Sequence, residues 1–384
     1  MFKRVISCIL IIFVMLQPAA CFSYAKEAEK NEYGEAKSLI LIEAKTGEVL
    51  FEQNPDEPLP PASVTKIMTL LLVIEAVDNK SVNLSDMVTV SSDAAAMGGS
   101  QIYLEPGEQM TVEDMIKSVI IASANDAAYA LAEHIAGSEA EFVKRMNDRA
   151  KELGMKNTNF ENTNGLDDTT KNHVTTARDI ALMSAELIKH KAILKYTTIW
   201  QDTVRDGKFT LTNTNRLIRF YNGCNGLKTG STSKAGFCMS ATAERDGMQL
   251  IAVVMGAPTR DKRNSIAKKL LDFGFANYSY YEDHGSLDNK SVIKIKRSNA
   301  ETVRIGYIPY EAVTQKDKKA KIDIRVDLPE YLTAPIKKGD VAGKITYIAD
   351  GKTIAERDIF VLEDADEISF GRLFLLLIKK YLLI

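Results

Sequence analysis

The chain has 384 residues, enough for two domains, and its hydrophobic fraction of 45% is that of an ordinary globular protein. Its 49 Lys and Arg residues nearly balance its 51 Asp and Glu residues, so there is no excess of basic charge of the kind that binds nucleic acid. None of the four histidines stands at metal-ligand spacing to another and no Cys-x-x-Cys pair occurs, so we expect neither a metal site nor a cofactor.

The N-terminal segment predicts export. Lys3 and Arg4 form a short positive head, residues 5–16 are apolar, and residues 23–25 resemble a small-residue cleavage site. The apolar stretch is shorter than the ~20 residues that cross a bilayer, which disfavours an uncleaved membrane anchor. Residues 1–25 are therefore predicted to be a signal peptide, and the mature protein is expected on the outer face of the cytoplasmic membrane.

A hairpin followed by a long helical region comes next. Strand-like runs at 38–42 and 48–51 are separated by a turn, and a Pro-rich break then precedes an apolar helix predicted over 63–76. The clearest helices after it are predicted over 112–135 and 139–153.

Strands return later in the chain. They are predicted at 226–230, 236–244 and 250–255, and a helix over 263–273 follows them. Strands at both ends of a helical middle indicate an α/β (α+β) domain over residues 35–282, in which the terminal segments share one antiparallel sheet.

A composition change near residue 283 introduces a second domain. Short alternating runs within residues 288–362 predict a small all-β domain. These runs are 292–295, 302–308, 322–326, 344–348 and 353–360.

The last segment, residues 366–384, is predicted to form an amphipathic helix. It is strongly apolar, and Arg372, Lys379 and Lys380 gather on one side at helical spacing. Such a helix suits the headgroup plane of a membrane surface, although packing on the β-domain would also bury its apolar face.

Two residues with matched chemistry open the helix predicted from Ser63. Ser63 and Lys66 are three positions apart, so both side chains project from the same helix face. A serine hydroxyl becomes a nucleophile when a base removes its proton, and a lysine serves as that base once burial or another cation lowers its pKa. Because this spacing also occurs by chance, the pair alone does not establish an active site.

Two further motifs follow in the chain order of penicillin-interacting serine enzymes. Ser123 and Asn125 come after an apolar run, and a Ser-x-Asn turn can transfer a proton and bind a substrate amide. Lys228 and Thr229, on a predicted strand, can hold the terminal carboxylate of a peptide by charge-assisted hydrogen bonds. Gly230 allows a substrate backbone to lie close to that strand. Lys228 also supplies a second cation that keeps the first lysine neutral.

With these motifs the chain resembles the D-alanyl-D-alanine carboxypeptidases, low-molecular-mass penicillin-binding proteins of the serine-peptidase clan that includes β-lactamases. The resemblance covers nearly everything after the signal peptide. Its specific stretches are 61–66, 123–128, 164–167, 175–179 and 226–230. It implies a β-lactamase/transpeptidase-like domain, a C-terminal β-domain and an amphipathic membrane anchor.

The resemblance also implies roles for individual residues. Ser63 is expected to be acylated by peptidoglycan stem peptides ending in D-Ala-D-Ala, with release of D-alanine, while Lys66 takes the serine proton. Ser123 and Asn125 are expected to line the cleft, and the backbone N–H groups of Ser63 and Ser231 to form the oxyanion hole. β-Lactam antibiotics are then expected to inhibit the enzyme covalently.

Several conspicuous residues receive a structural interpretation. His173 is interpreted as a cleft-edge or structural residue, because no G-x-S-x-G elbow accompanies it and a lysine already fills the role of base. Arg178 and Asp179 are predicted to form an ion pair at a helix start. Whether Cys224 and Cys238 form a disulfide is left open by the sequence.

Other functions remain possible at this stage. A β-lactamase needs rapid deacylation, and residues 161–164 offer Glu161 but no Glu-x-x-Leu-Asn element. A non-catalytic peptidoglycan-binding protein would retain the fold, although all the motif side chains are present. The motifs do not distinguish water from an amine as the acyl acceptor, so transpeptidation and endopeptidase action stay open.

Overall fold

The computed structural model describes residues 33–283, 285, 287, 291–316 and 322–382 of the chain. The predicted signal peptide, residues 1–25, lies outside the described residues. The chain divides into two compact units. One reaches to residue 243 and resumes over 250–271, and the other comprises 244–249 and the residues from 272 onward.

Up to residue 277 the helices and strands are, in chain order, β1 (Ser38–Glu43), β2 (Val49–Gln53), α1 (Lys66–Asp78), β3 (Met87–Thr89), α2 (Ser92–Ala95), β4 (Gln109–Thr111), α3 (Val112–Lys117), α4 (Asn125–Ala136), α5 (Glu139–Glu152), α6 (Ala177–Lys189), α7 (Lys191–Thr197), β5 (Gln201–Val204), β6 (Phe209–Thr212), α8 (Leu217–Phe220), β7 (Cys224–Thr232), β8 (Gly236–Arg245), β9 (Met248–Ala257) and α9 (Arg260–Asn277).

A five-stranded sheet in the order β2-β1-β9-β8-β7 lies at the centre of the first unit. β1 runs antiparallel to both β2 and β9, and β7 runs antiparallel to β8. The prediction that the terminal segments of the domain share one antiparallel sheet is therefore confirmed. β1 is buried along its whole length, which explains its continuous apolar run. β7 is an edge strand of this sheet, and its C-terminal residues Ser231 and Thr232 are its more exposed part.

Helix α1 is buried on almost every side because its sequence is apolar all round. It packs against α4, α5 and α6, and β7 lies against the turn that precedes it. The sequence predicted the helix to begin at Ser63. The structure instead has one turn of 3-10 helix, Ala62–Thr65, and begins α1 at Lys66.

The single helix predicted over 112–135 is wrong. The structure has α3, a π-helical turn over Ser118–Ala122, a break at Ser123 and then α4. Ser123 has a left-handed backbone conformation with φ of 64°, which ends the first helix. A π turn followed by a left-handed residue is the kind of local distortion that concentrates at functional sites.

The second unit is a β structure, as predicted. Its elements are β10 (Tyr278–Glu282), β11 (Val292–Lys296), β12 (Thr302–Tyr307), β13 (Glu311–Gln315), β14 (Asp323–Asp327), β15 (Tyr331–Thr333), β16 (Val341–Ala349), β17 (Lys352–Val361) and α10 (Phe370–Leu382). Six strands form one sheet in the order β14-β16-β17-β12-β11-β15, and β10 pairs with β13. The sequence missed three short strands, β10, β13 and β15. β11 alternates exposed and buried residues, as expected for a strand with one face on a core.

The chain ends in the short helix α10, in the segment where the sequence predicted one. Its apolar side chains are largely exposed, with Phe370 and Tyr381 each 82% exposed. Within the described residues, no helix is long and apolar enough to cross a membrane.

The two cysteines whose pairing the sequence left open are free thiols. The register of β7 and β8 explains this, because Cys224 lies opposite Ala243 while Cys238 lies opposite Gly230. Burial raises the pKa of both thiols to about 11.

Candidate active site

The turn before α1 brings Ser63 and Lys66 together. In a 3-10 turn the side chains at positions i and i+3 eclipse each other, so the two side chains stack on one side. The distance between Lys66 Nζ and Ser63 Oγ is 2.9 Å. Ala62, just before the serine, has a positive φ of 49°, so the turn is backbone-strained and must be held by its surroundings.

Lys66 makes two further hydrogen bonds inside the protein. Its Nζ donates to Asn125 Oδ1 at 2.6 Å and to the backbone oxygen of Asn164 at 2.9 Å. A neutral amine has two N–H bonds, and these two acceptors use both. Its lone pair is then left to accept the hydroxyl proton of Ser63. This arrangement suits a general base that removes a proton from the serine.

The electrostatic surroundings favour the neutral form of Lys66. Complete burial lowers the pKa of this lysine well below its usual value, and the nearby charge of Lys228 acts in the same direction. Asp126 opposes both effects. The prediction that Lys228 helps to keep Lys66 neutral is consistent with this balance.

Ser123 and Lys228 form a second serine–lysine pair. Lys228 Nζ lies 2.8 Å from Ser123 Oγ and also donates to the backbone oxygen of Thr229 at 2.9 Å. Burial, reinforced by the charge of Arg263, lowers the pKa of Lys228 to about 7. The sequence assigned Lys228 to a substrate carboxylate, but the structure buries this side chain and directs it to Ser123.

Gly230 lies where β7 meets the nucleophile turn. A Cβ atom at this position would stand 2.7 Å from the backbone nitrogen of Ser63 and 2.9 Å from that of Val64. The glycine therefore permits close approach of two protein segments, and not of a substrate backbone as the motif predicts. The next residue, Ser231, is exposed on the edge strand beside Ser63.

A cavity that contains two arginines and one aspartate lies near the end of β7, where its lining residue Phe237 pairs with Ser231. Thr229 Oγ1 donates to Thr214 Oγ1 at 2.9 Å, two residues before Arg216. The cavity has a volume of about 400 Å³ and is lined by Arg216, Phe237, Thr259, Arg260 and Asp261. Burial lowers the pKa of the adjacent Arg263 to about 10, and the charges of Arg260 and Arg216 add to the effect. No motif pointed to these arginines.

Asn164 and Gly165 also belong to the site, although sequence motifs assign them no chemical role. Gly165 has a φ of 85°, and a Cβ atom there would stand 1.9 Å from the Ala62 backbone oxygen. This turn therefore packs directly beneath the nucleophile turn while its preceding carbonyl binds Lys66. The Asn-Gly dipeptide is a turn signal in the sequence, but it does not reveal what the turn contacts.

His173 supports the nucleophile turn from behind. Its Nδ1 accepts the backbone N–H of Glu161 at 3.0 Å, so its Nε2 carries the proton and donates to Thr65 Oγ1 at 2.8 Å. Thr65 in turn donates to the backbone oxygen of Ala62 at 2.9 Å. Burial lowers the pKa of His173 to about 4. The residue is buried and structural, one of the two interpretations made from the sequence.

The predicted ion pair between Arg178 and Asp179 is wrong. Arg178 binds Asp56 at 2.8 Å and Glu52 at 2.9 Å instead. Asp179 points the other way and accepts a hydrogen bond from Thr158 Oγ1 at 2.8 Å. Adjacent residues on a helix project about 100° apart, so they find different partners.

One cluster in the described part of the chain has metal-ligand spacing. It consists of Glu75, Glu186 and His190. Arg149 donates to both glutamates, and His190 bonds Asp78, so the carboxylate charge is already neutralised by a guanidinium. We assign this cluster to the packing of α1, α5 and α6.

Comparison with known proteins agrees with this geometry. Residues 25–259 match the family model described as D-alanyl-D-alanine carboxypeptidase, and residues 287–367 match the penicillin-binding protein 5 C-terminal domain. The chain is 43% identical to the D-alanyl-D-alanine carboxypeptidase DacF of Bacillus subtilis, over 96% of each chain.

Two solved structures of penicillin-binding proteins are also similar to this chain. Penicillin-binding protein 5 of Haemophilus influenzae superposes with a TM-score of 0.73 at 35% identity, covering 87% of this chain and 98% of that one. Penicillin-binding protein D2 of Listeria monocytogenes, crystallised in its ampicillin-bound form, gives 0.58 at 36% identity, covering 63% of this chain and 98% of that one. The chain belongs to the D-alanyl-D-alanine carboxypeptidase family of serine peptidases.

Proposed function

We propose that Ser63 is the nucleophile of this carboxypeptidase and Lys66 its general base. The observation that carries the proposal is the hydrogen bonding of Lys66, whose two N–H bonds are used by Asn125 and Asn164 while its nitrogen lies 2.9 Å from Ser63 Oγ. In acylation the Ser63 oxygen bonds to the carbonyl carbon of the penultimate D-alanine, and its proton moves to Lys66. The backbone N–H groups of Ser63 and Ser231 stabilise the developing oxyanion.

Ser123 and Lys228 complete the proton balance. As the peptide C–N bond breaks, the leaving D-alanine nitrogen receives a proton from Ser123 Oγ, which regains one from the Lys228 ammonium 2.8 Å away. In deacylation a water molecule takes the place of the leaving amine and returns a proton along the same path. Ser63 then leaves the acyl carbon and recovers its proton from Lys66. Each lysine ends the cycle in its starting state.

Recognition of the substrate C-terminus falls to the edge of β7. Because Lys228 binds Ser123 and the Thr229 hydroxyl donates to Thr214, the positive charge of the arginine cavity attracts the terminal carboxylate, and Thr229 can bind it once its hydroxyl turns away from Thr214. Asn125 and the exposed Ser231 on β7 line the position of the peptide backbone, while Gly230 is buried against the turn that carries Ser63. The substrate is a stem peptide ending in D-Ala-D-Ala, and β-lactams acylate the same serine.

A β-lactamase function is less well supported. Glu161, three positions before the cleft residue Asn164, accepts the backbone N–H groups of Lys171 and Asn172 at 2.8 and 3.1 Å. It is therefore engaged in holding its own loop and is not available to activate a deacylating water. Slow hydrolysis of a penicilloyl adduct is the expected behaviour.

We also propose the cellular placement and the domain organisation. Residues 35–282 form the peptidase domain, residues 288–362 the β-domain and residues 366–384 a membrane anchor on an exported protein. The support for the anchor is the exposed apolar surface of α10, which is too short to span a bilayer and carries exposed Arg372 and Lys379.

The test combines two measurements on the purified enzyme. Intact-protein mass spectrometry after brief benzylpenicillin exposure, with peptide mapping, should find a stable adduct on Ser63. D-Alanine release from diacyl-Lys-D-Ala-D-Ala should be lost in S63A. An adduct on another residue, or full activity of S63A, would overturn the mechanism.

A further inference from the structure

We propose that Arg205 is a positioning residue for this active site, which holds the loop of residues 98–104 and thereby orients the Asn125 amide toward Lys66. The inference rests on the proposed function, in which Asn125 Oδ1 is one of the acceptors that leave the Lys66 lone pair facing the serine.

The loop selects which end of the Asn125 amide faces Lys66. Asn125 Nδ2 donates to the backbone oxygen of Gly98 at 2.6 Å, so Oδ1 is the end that accepts from Lys66 at 2.6 Å. The Asn125 backbone nitrogen also donates to the Ser100 backbone oxygen at 2.7 Å. A Cβ atom on Gly99 would stand 2.7 Å from Nδ2, so the loop is in direct contact with the amide. A reversed amide would present N–H groups to an amine that needs an acceptor.

One side of the loop is held by a buried carboxylate. Asp126 accepts the backbone N–H of Ile102 and that of Leu104, each at 3.1 Å. Asp126 is fully buried at the start of α4, next to Asn125 itself. This contact ties the loop to the helix that carries the amide.

The other side is held by Arg205. Its Nη1 donates to the backbone oxygen of Ile102 at 2.7 Å and its Nη2 to that of Tyr103 at 3.1 Å. Its Nε and Nη2 bind the two Glu108 carboxylate oxygens at 2.6 and 2.9 Å. A guanidinium can make all four bonds at once because its five N–H bonds diverge in a plane, which a lysine ammonium cannot reproduce.

The loop needs such a support. Tyr103 adopts a positive φ of 59° and is 68% exposed, so its edge-on ring contact with Phe209 gives limited support to a backbone in this unfavourable region. Arg205 comes from the turn between β5 and β6, where residues 205–207 all have positive φ. This tight hairpin places the guanidinium against the loop, although the two segments are more than 100 residues apart in the sequence.

The test measures the second-order rate of acylation by a fluorescent penicillin as a function of pH. Wild-type enzyme is examined first, because failure of Ser63 to acylate would refute the proposed function and not this inference. We expect R205A to acylate about tenfold more slowly, as for loss of a hydrogen bond to a charged group, and R205K to fall between R205A and wild type.

The pH profile separates positioning from general damage. Acceptance by Asn125 Oδ1 favours the ammonium form of Lys66, so its loss should move the acid limb of the profile to lower pH. The charged groups that act on Lys66, namely Lys228 and Asp126, are retained in every variant. The matched control is R149A, since the Arg149 side chain is 22% exposed and that of Arg205 23%, and both bind carboxylates.

A second variant tests the same inference if R205A does not fold. G99A places its Cβ against Asn125 Nδ2 from the same loop and should slow acylation with the same shift of the acid limb. Wild-type rates in folded R205A or in G99A would overturn the inference. An equal loss in R149A, or a loss in R205A with an unmoved acid limb, would do the same.

Discussion

Replacing Gly230 by alanine tests the contact between β7 and the nucleophile turn. The new Cβ would stand 2.7 Å from the Ser63 backbone nitrogen and 2.9 Å from that of Val64, whereas contacts below 3.4 Å are already tight. Both neighbours are backbone atoms, so the two segments must separate by roughly 0.5 Å. Because a 1 Å misplacement at a reacting centre costs about 100-fold, we expect acylation to slow about tenfold. The overpacking should also cost about 1–3 kcal/mol of stability.

The assay compares the acylation rate by a fluorescent penicillin with the free energy of unfolding in urea. G137A is the control, since Gly137 has a φ of 80° and a Cβ there meets no atom within 4 Å. It should lose about 1 kcal/mol through backbone strain and keep the wild-type acylation rate. If G230A acylates like wild type, or G137A slows as much as G230A, then the reasoning from close packing to catalysis fails.

Three other predictions concern the lysines and the terminal helix. K66A should acylate roughly 10²- to 10⁴-fold more slowly than wild type when the penicilloyl adduct is followed over time, because a positioned general base contributes that much. The pKa of Lys228 is about 7 in the folded protein against 10.5 in the unfolded chain, so the unfolded chain binds more protons between these values and stability should rise with pH across that window. Urea midpoints measured from pH 7 to pH 10 should climb in wild type and climb less in K228M; equal slopes would contradict the assignment. Removal of the residues from 368 onward should abolish sedimentation with anionic vesicles and leave D-alanine release unchanged, and retained sedimentation would exclude α10 as the anchor.

The first unit could be predicted from sequence wherever periodicity and burial agree. β1 and β9 are continuous apolar runs because both faces of the central strands are covered, and such runs are recognisable without a structure. The break at Ser123 could not be predicted, since the apolar positions before and after it keep a helical spacing. The left-handed backbone of Ser123 interrupts the helix, and its hydroxyl contacts Lys228, which is 105 positions away in the sequence and which no local pattern reveals.

The sequence predicts one of the two serine–lysine pairs of the site but not the other. The three-residue spacing determines the pair of Ser63 and Lys66, because a single helical turn brings them together whatever the rest of the fold does. For Lys228 the motif is compatible both with a free cation that meets the substrate and with a buried partner of Ser123, and only the fold decides between them.

The pairing of Lys228 with Ser123 means that other groups must recognise the substrate carboxylate. With Lys228 and Thr229 both hydrogen-bonded inside the protein, we expect a terminal carboxylate to depend on arginines spread over residues 216–263, whose positions follow no pattern in the sequence. Within the described residues neither Arg216 nor Arg260 pairs with a carboxylate, whereas Arg149, Arg178 and Arg205 each do. The cavity also contains Asp261, but its two arginines outnumber this carboxylate, and a cavity with net positive charge attracts an anionic ligand. We therefore expect specificity for a free peptide C-terminus to reside in charges outside the catalytic motifs, while the motifs specify the acyl-transfer chemistry.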